Sequence, residues 1–364
     1  MPSIRKTPLD SFNIKYGGRM VDFAGWNMPV QYKSIVEEHK STRSAAGLFD
    51  VSHMGEALVS GREATEYLDF VLTNDVSKMS IGQALYTLMC FEHGGVVDDL
   101  LVYKNSESEY LLCLNASNTE KDLDWLESKR DRFDACLSDV SSDYALLALQ
   151  GPKAFEILQD LQTEGIGGLQ CYHFAKGSVT GVPCLISRTG YTGEKGVELF
   201  VAPENAAELA ESILLAGESH GLVLAGLGAR DSLRLEAGYS LYGHEINEGI
   251  SPIQANLMWT VKLNKASDFI GKAALMAEKE AGPKKEIVFF KTGSRRIVRS
   301  DTEVQAGNRA IGTVVSGTFS PELNEAIGSA LIDSEYSEAE LSVDMRGKSM
   351  RLFQTDPPFI KLKP

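Results

Sequence analysis

Gly94-Gly95-Val96-Val97-Asp98-Asp99-Leu100-Leu101-Val102-Tyr103 sets two adjacent carboxylates inside an apolar run opened by a glycine pair. The branched and apolar side chains predict a strand, and Gly94-Gly95 supplies the turn before it. Side chains alternate along a strand, so Asp98 and Asp99 point to opposite sides. Val97, Asp99, Leu101 and Tyr103 then share one face. A carboxylate among apolar neighbours is costly to bury unless a partner or a chemical task holds it there. Asp99, with Tyr103 beside it, is therefore the expected chemical centre. The other reading makes one aspartate a turn cap and leaves the other in water.

Working outward, strands are expected at 84–91, 96–104 and 109–115, with earlier strand character over 48–60. Residues 19–32, RMVDFAGWNMPVQY, suit an extended packing loop. Ser34-Ile35-Val36-Glu37 reads as a capping box that starts a helix, and Gly47 as its stop. Ser60-Gly61-Arg62-Glu63 reads as a second box, before Ala64, Tyr67, Leu68, Val71 and Leu72 at helical spacing. Ser117-Asn118-Thr119-Glu120 caps the next helix, and Gly151-Pro152 opens another with proline at its first position. Strands near 144–150, 181–188 and 196–202 and helices near 204–216 and 227–238 follow. Strands and helices in runs, without strict alternation, define an α+β class. The charged Gly-Pro segment 278–286, EKEAGPKKE, divides a body of residues 1–280 from a segment, 287–364, of short β-rich runs. Those runs predict a small barrel or sandwich.

Composition narrows the function. A net charge of −14 over 364 residues opposes nonspecific nucleic-acid binding, which needs a basic face. Five cysteines without C-x-x-C spacing point away from zinc and towards a reducing compartment. No segment is long and apolar enough to span a membrane, and the first residues lack a signal core, so a cytoplasmic setting is expected. There is no G-x-G-x-x-G, G-x-S-x-G or HExxH.

Other candidates accompany Asp99. His53 is read as a structural hydrogen-bonder before a base, and Met54 as either a pocket wall or core. Asn115 either presents its amide to a ligand or caps the next helix. In Arg188–Glu198, RTGYTGEKGVE, three glycines let the backbone approach a ligand or itself. Glu198 then enters an apolar strand, where a carboxylate suits a pair of parallel N–H donors. Arg230 and Arg234 lie one helical turn apart, with an intrahelical ion-pair ladder as the plainer reading for Arg234.

The blocks KTPL (6–9), MVDFAGW (20–26), GLFDVSHMGE (47–56), GGVVDDLLVYK (94–104), ALQGPKA (148–154), RTGYTGEKGVE (188–198) and GLGARDSLRLEAG (226–238) together resemble the aminomethyltransferase (T-protein) family of the glycine cleavage system. WTVKLNK (259–265) and IGTVVSGTFSP (311–321) extend the ordered set almost to the end. The resemblance implies a folate-binding body of two intertwined ferredoxin-like α+β subdomains and a C-terminal small β-barrel. It implies transfer of the one-carbon unit of an aminomethyl group, carried on the lipoyl arm of H-protein, to tetrahydrofolate. The products would be methylenetetrahydrofolate, ammonia and dihydrolipoyl H-protein. Tetrahydrofolate would be a co-substrate, with no metal and no flavin. Asp99 matches the family's catalytic aspartate and Glu198 the residue that grips the pterin. Met54, Tyr103, Asn115, Tyr191, Arg230 and Tyr239 fall on pocket-lining positions. Arg295, Arg296 and Arg299 are candidates for the H-protein contact. The alternatives are a folate-dependent demethylase of the same superfamily and a non-enzymatic folate-binding accessory protein. The latter's K-G-C-x-x-G-Q-E block is not matched at Gly168–His173.

Overall fold

The computed structural model describes residues 4–362. Its first sheet has six strands, ordered Phe174–Val179, Val182–Ser187, Gly196–Val201, Ala145–Gln150, Ala46–Asp50 and Leu222–Leu224. A second, five-stranded sheet runs Ala84–Cys90, Val96–Ser106, Glu109–Leu114, Gly55–Ser60 and Cys136–Asp139. The chain enters the first sheet at Ala46–Asp50, builds the whole second sheet, then returns at Ala145. The two α+β units are therefore interwoven. Helices Ala154–Asp160 and Ala206–Gly217 bury one face of the first sheet around Ile157, Leu209 and Ile213. Helices Ala64–Val71 and Thr119–Arg130 cover the second around Tyr67, Leu68 and Leu126. The remaining faces meet through Phe49, Tyr103, Leu146 and Phe200, with helix Leu227–Ala237 contributing Ala229 and Leu233.

After helix Lys272–Ala281, Lys285–Lys291 begins a closed six-stranded barrel with Glu325–Asp333, Arg309–Ser320, Glu303–Ala306, Leu341–Asp344 and Ser349–Gln354. Closure leaves no unpaired edge, which suits short strands around a small core of Phe290, Val304, Ile332 and Leu352. Glu303–Ala306 carries too little apolar character to stand out in the sequence. The barrel packs on the body through Phe289 and Ile327 against Leu88, Val96 and Leu235. Polar cross-links reinforce this contact. The Glu236 carboxylate accepts from Arg43 and Ser320 and contacts His39, and Arg234 donates to Glu245 and Ser316.

Several local readings change. Residues 19–32 form a hairpin, Arg19–Phe23 with Trp26–Gln31, that joins Arg5–Lys6 in a three-stranded sheet. Ser34 does accept from the Glu37 N–H, but helix Ile35–Ser44 stops before Gly47, which lies within the first sheet. The expected Ser60 box is not a cap. Ser60 ends a strand, and the Glu63 carboxylate accepts from the Asp134 N–H instead. Helix Ala154–Asp160 starts after Pro152, with Lys153 as N-cap. The Gly94-Gly95 turn forms as expected: Gly94 has φ +94°, and a Cβ on Gly95 would lie 1.8 Å from the Glu248 carbonyl oxygen.

The strand that carries the aspartates needs one correction. Met89 pairs with Asp98 but Cys90 with Val96, so Val97 is the extra residue of a bulge. The bulge breaks the alternation, and Val97 packs with Leu100 and Val102, away from Asp99. Asp99 and Leu101 remain on the same face.

Candidate active site

A cavity of about 620 Å³ lies where the two sheets, helix Leu227–Ala237 and the barrel converge. That size holds a drug-sized or cofactor-sized molecule. Asp99, Glu198, Met54, Asn115, Tyr191, Arg230 and Tyr239 all reach its wall. Tyr103 does not line it. Its ring is fully buried between Phe174 and Phe200, edge-on to both, and so packs behind the wall.

Asp99 is held from two directions. Tyr86 Oη donates to Oδ2 at 2.9 Å and Asn115 Nδ2 to Oδ1 at 2.8 Å. Both donors follow from strand register. Leu88 pairs with Asp99, so Tyr86 is two residues along on the same face; Cys113 pairs with Leu101, which brings Asn115 opposite Asp99. Burial, then the Asp98 charge, raises the Asp99 carboxyl from 3.8 to about 7, against the pull of these two hydrogen bonds. The group thus titrates near neutrality, where a catalytic acid–base is most effective. Alternation does send Asp98 away from the cavity, into full burial, but Asn115 Nδ2 also reaches Asp98 Oδ1 at 3.0 Å. One amide ties the pair together, so the Asn115 side chain holds the two aspartates and does not cap the helix that follows.

Glu198 enters from the first sheet. Thr189 Oγ1 donates to its Oε2, and Ser187 and Thr189 hydroxyls are 2.8 Å apart beneath it. Burial raises the Glu198 carboxyl above its usual range, opposed by the Thr189 hydrogen bond and by the Arg230 charge. The glycines of this segment let the chain approach itself: a Cβ on Gly190 would lie 2.0 Å from Gln150 Oε1. Arg230 lies over the Tyr191 ring at 4.8 Å, Tyr191 and Tyr239 ring centres are 5.8 Å apart, and the Tyr191 hydroxyl donates to the Ser240 carbonyl. Arg234 is a cross-link more than a ladder, since beyond Asp231 it donates to Tyr239 O, Glu245 and Ser316.

The wall also holds residues not expected from the sequence, Tyr86, Thr189 and Trp259 among them. Tyr86 and Thr189 orient the two carboxylates, and Trp259, 57% exposed, stacks on Tyr86 at 5.7 Å. Tyr86 sits in an apolar strand where a tyrosine reads as core, so only pairing with Leu101 reveals its reach. His53 is not the structural hydrogen-bonder expected. Its Nδ1 is buried without a partner among the described residues, its ring meets the Phe23 edge at 5.6 Å, and burial lowers it to about 3, so it presents a neutral wall.

Interwoven α+β units, a closed barrel against them and two buried carboxylates in one cavity define a three-part body built around a small-molecule cavity. Residues 9–265 match the GCVT N-terminal domain and residues 285–361 the glycine cleavage T-protein C-terminal barrel domain. The chain is 48% identical to the aminomethyltransferase of Caldanaerobacter subterraneus subsp. tengcongensis, over 99% of this chain and 97% of the relative. It is also 48% identical to that of Bacillus cereus strain B4264, over 99% of both. The crystal structure of glycine cleavage system aminomethyltransferase T from Bartonella henselae superposes with a TM-score of 0.93 at 33% identity, covering 99% of each chain. The chain belongs to the glycine cleavage T-protein family and is an aminomethyltransferase.

Proposed function

We propose that the cavity binds tetrahydrofolate as co-substrate and accepts the aminomethyl-loaded lipoyl arm of H-protein. The observation that carries this reading is the convergence of Asp99 and Glu198 on one apolar-walled cavity, both pushed towards the neutral form by burial. Glu198, oriented by Thr189, takes the paired N–H donors of the aminopyrimidinone edge. Tyr191, Tyr239, Arg230 and Met54 supply flat and polarisable surface to the rest of the folate.

Asp99 sits where charge changes. The aminomethyl carbon leaves sulfur and ammonia and bonds the two folate nitrogens, through an iminium-like cation. A fixed carboxylate in a water-poor pocket stabilises that cation far better than bulk solvent does. A carboxyl titrating at about 7 also exchanges the folate nitrogen's proton without a large energetic mismatch. Tyr86 and Asn115 hold it so that little reorganisation accompanies the step. Residues 1–280 act as the folate-binding body and 287–364 as the barrel that closes one mouth, in a cytoplasmic protein. Among the described residues, no helix is long and apolar enough to cross a membrane.

The test is single-turnover transfer from aminomethylated H-protein. Asp99→Asn keeps shape and loses charge, so turnover should fall by about 10²–10⁴ with folate affinity nearly intact. An active Asp99→Asn beside a dead Asp98→Asn would reverse the assignment, and two active variants would end the aspartate mechanism.

A further inference from the structure

Helix Thr119–Arg130 begins beneath the aspartate strand, and of its first residues Asn118 and Asp122 are buried against Asp98 while Glu120 faces solvent. Asn118, its N-cap, makes no capping bond and instead donates from Nδ2 to Asp98 Oδ1 at 2.8 Å. Asp98 Oδ1 thus receives Asn115 and Asn118, while Asp98 Oδ2 is buried with no ordinary donor among the described residues. Asp122, one turn into the helix, is fully buried, and both its carboxyl oxygens also lack a donor among the described residues. Its carboxyl lies at hydrogen-bond range of Asp98. Two carboxylates face to face offer only acceptors, so the contact is a hydrogen bond only when one holds a proton.

We propose that Asp122 is a positioning residue kept as the neutral acid, whose O–H donates to Asp98 and so anchors the Asp122–Asp98–Asn115 chain that orients Asp99. This inference rests on the assignment of Asp99 as the reacting carboxylate. The groups facing Asp122 are Asp98 and Asp99 from the neighbouring strand and Lys121 from its own helix. Lys121 Nζ is 3.9 Å from Asp122 Oδ1, too far for a hydrogen bond, and donates to the Val97 carbonyl and Tyr242 Oη instead. Burial, then Asp98, pushes the Asp122 carboxyl up to about 11, against the weaker pull of Lys121. The helix N-terminus and Lys121 both favour the anion, but a third charge beside Asp98 and Asp99 would be buried with no donor within hydrogen-bond reach among the described residues. The neutral acid makes the second layer a donor, and Asn115 stays free to share its amide between Asp98 and Asp99.

Asp122→Asn keeps a neutral donor and Asp122→Leu removes it. In folate-free enzyme at pH 8, the wild-type minus Asp122→Asn infrared difference spectrum should show the carbonyl band of a protonated carboxylic acid. Other buried acids cancel in that difference. Transfer by Asp122→Leu should lose about tenfold or more in kcat with an unchanged KM for tetrahydrofolate, and Asp122→Asn should restore kcat to within about threefold. The acid limb of kcat in Asp122→Asn should stay at the wild-type pH, because no charge is removed. An absent infrared band, or an acid limb moved down by about one unit, would show Asp122 to be an anion and overturn the proposal. Full kcat in Asp122→Leu would equally remove its positioning role. If Asp122→Leu does not fold, the band and the Asp122→Asn profile still decide. Activity retained by Asp99→Asn would instead sink the Asp99 assignment, and the infrared band would be unaffected.

Discussion

Asp99→Asn should stabilise the fold increasingly as pH rises, while it disables transfer. In the unfolded chain Asp99 ionises near 3.8, and in the fold near 7. Between those values the native state keeps a proton that the unfolded state releases, so stability falls as pH rises. The contribution of this group is whole below 3.8, declines through the interval and is lost above 7. Asparagine has no such titration. From pH 5 to pH 8 the advantage of Asp99→Asn should therefore grow over the two units up to pH 7, at about 1.36 kcal/mol each, or about 2.7 kcal/mol. The carboxyl opens on the cavity, where water weakens the local field, so about 1–3 kcal/mol is expected. Any hydrogen bond that asparagine fails to make with Tyr86 or Asn115 shifts both pH values nearly alike and cancels in the comparison. Urea titrations of both proteins at pH 5 and pH 8 measure the change, provided m is the same. A gap that is constant, or that narrows towards pH 8, would refute a raised Asp99 and with it the electrostatic basis of the site.

The remaining predictions concern single contacts. Tyr86→Phe removes a hydrogen bond that lowers the Asp99 carboxyl, so the acid limb of transfer should move up by about one pH unit; an unmoved limb would separate Tyr86 from catalysis. Glu198→Gln should weaken tetrahydrofolate binding by about 1.5–3 kcal/mol in calorimetry, and equal affinity would displace Glu198 from the pterin edge. Binding of H-protein to Arg295, Arg296 and Arg299 should weaken as salt rises, since a net charge of −14 leaves only local basic groups to attract an acidic partner. Affinity that is flat with ionic strength would remove them from the contact. Lys265→Met should cost about 2–5 kcal/mol in urea unfolding, because the buried ammonium donates to the carbonyls of Asp69, Leu72 and Asn74; an unchanged midpoint would show these carbonyls satisfied without it.

The α+β class, the strand that bears Asp98 and Asp99 and the barrel strands other than Glu303–Ala306 were legible in the chain. Each rests on a local signal: apolar runs, a glycine turn, short strands after a charged Gly-Pro segment. Glu198 and Asp99 were legible for the same reason, as carboxylates misplaced in apolar strands. The capping box at Ser60 failed because its residues are also strand and turn formers, and sheet pairing took them. The hairpin at 19–32 was missed because its aromatic residues carry no clean alternation.

What the sequence could not supply is what lies across from each residue. Tyr103 looks like a neighbour of Asp99, yet packing between Phe174 and Phe200 takes its ring behind the wall. Tyr86 looks like core, yet pairing delivers its hydroxyl to Asp99. Asn115 and Asn118 look like helix starts, yet both amides go to the aspartates. A bulge of one residue at Val97 rewrites which side chains share a face, and nothing local marks it. The chain itself determined which residues are chemically out of place. Only the tertiary structure decided which of them meet, because a hydrogen bond or a raised pKa depends on distance in space and on burial, and strand register and sheet packing set both.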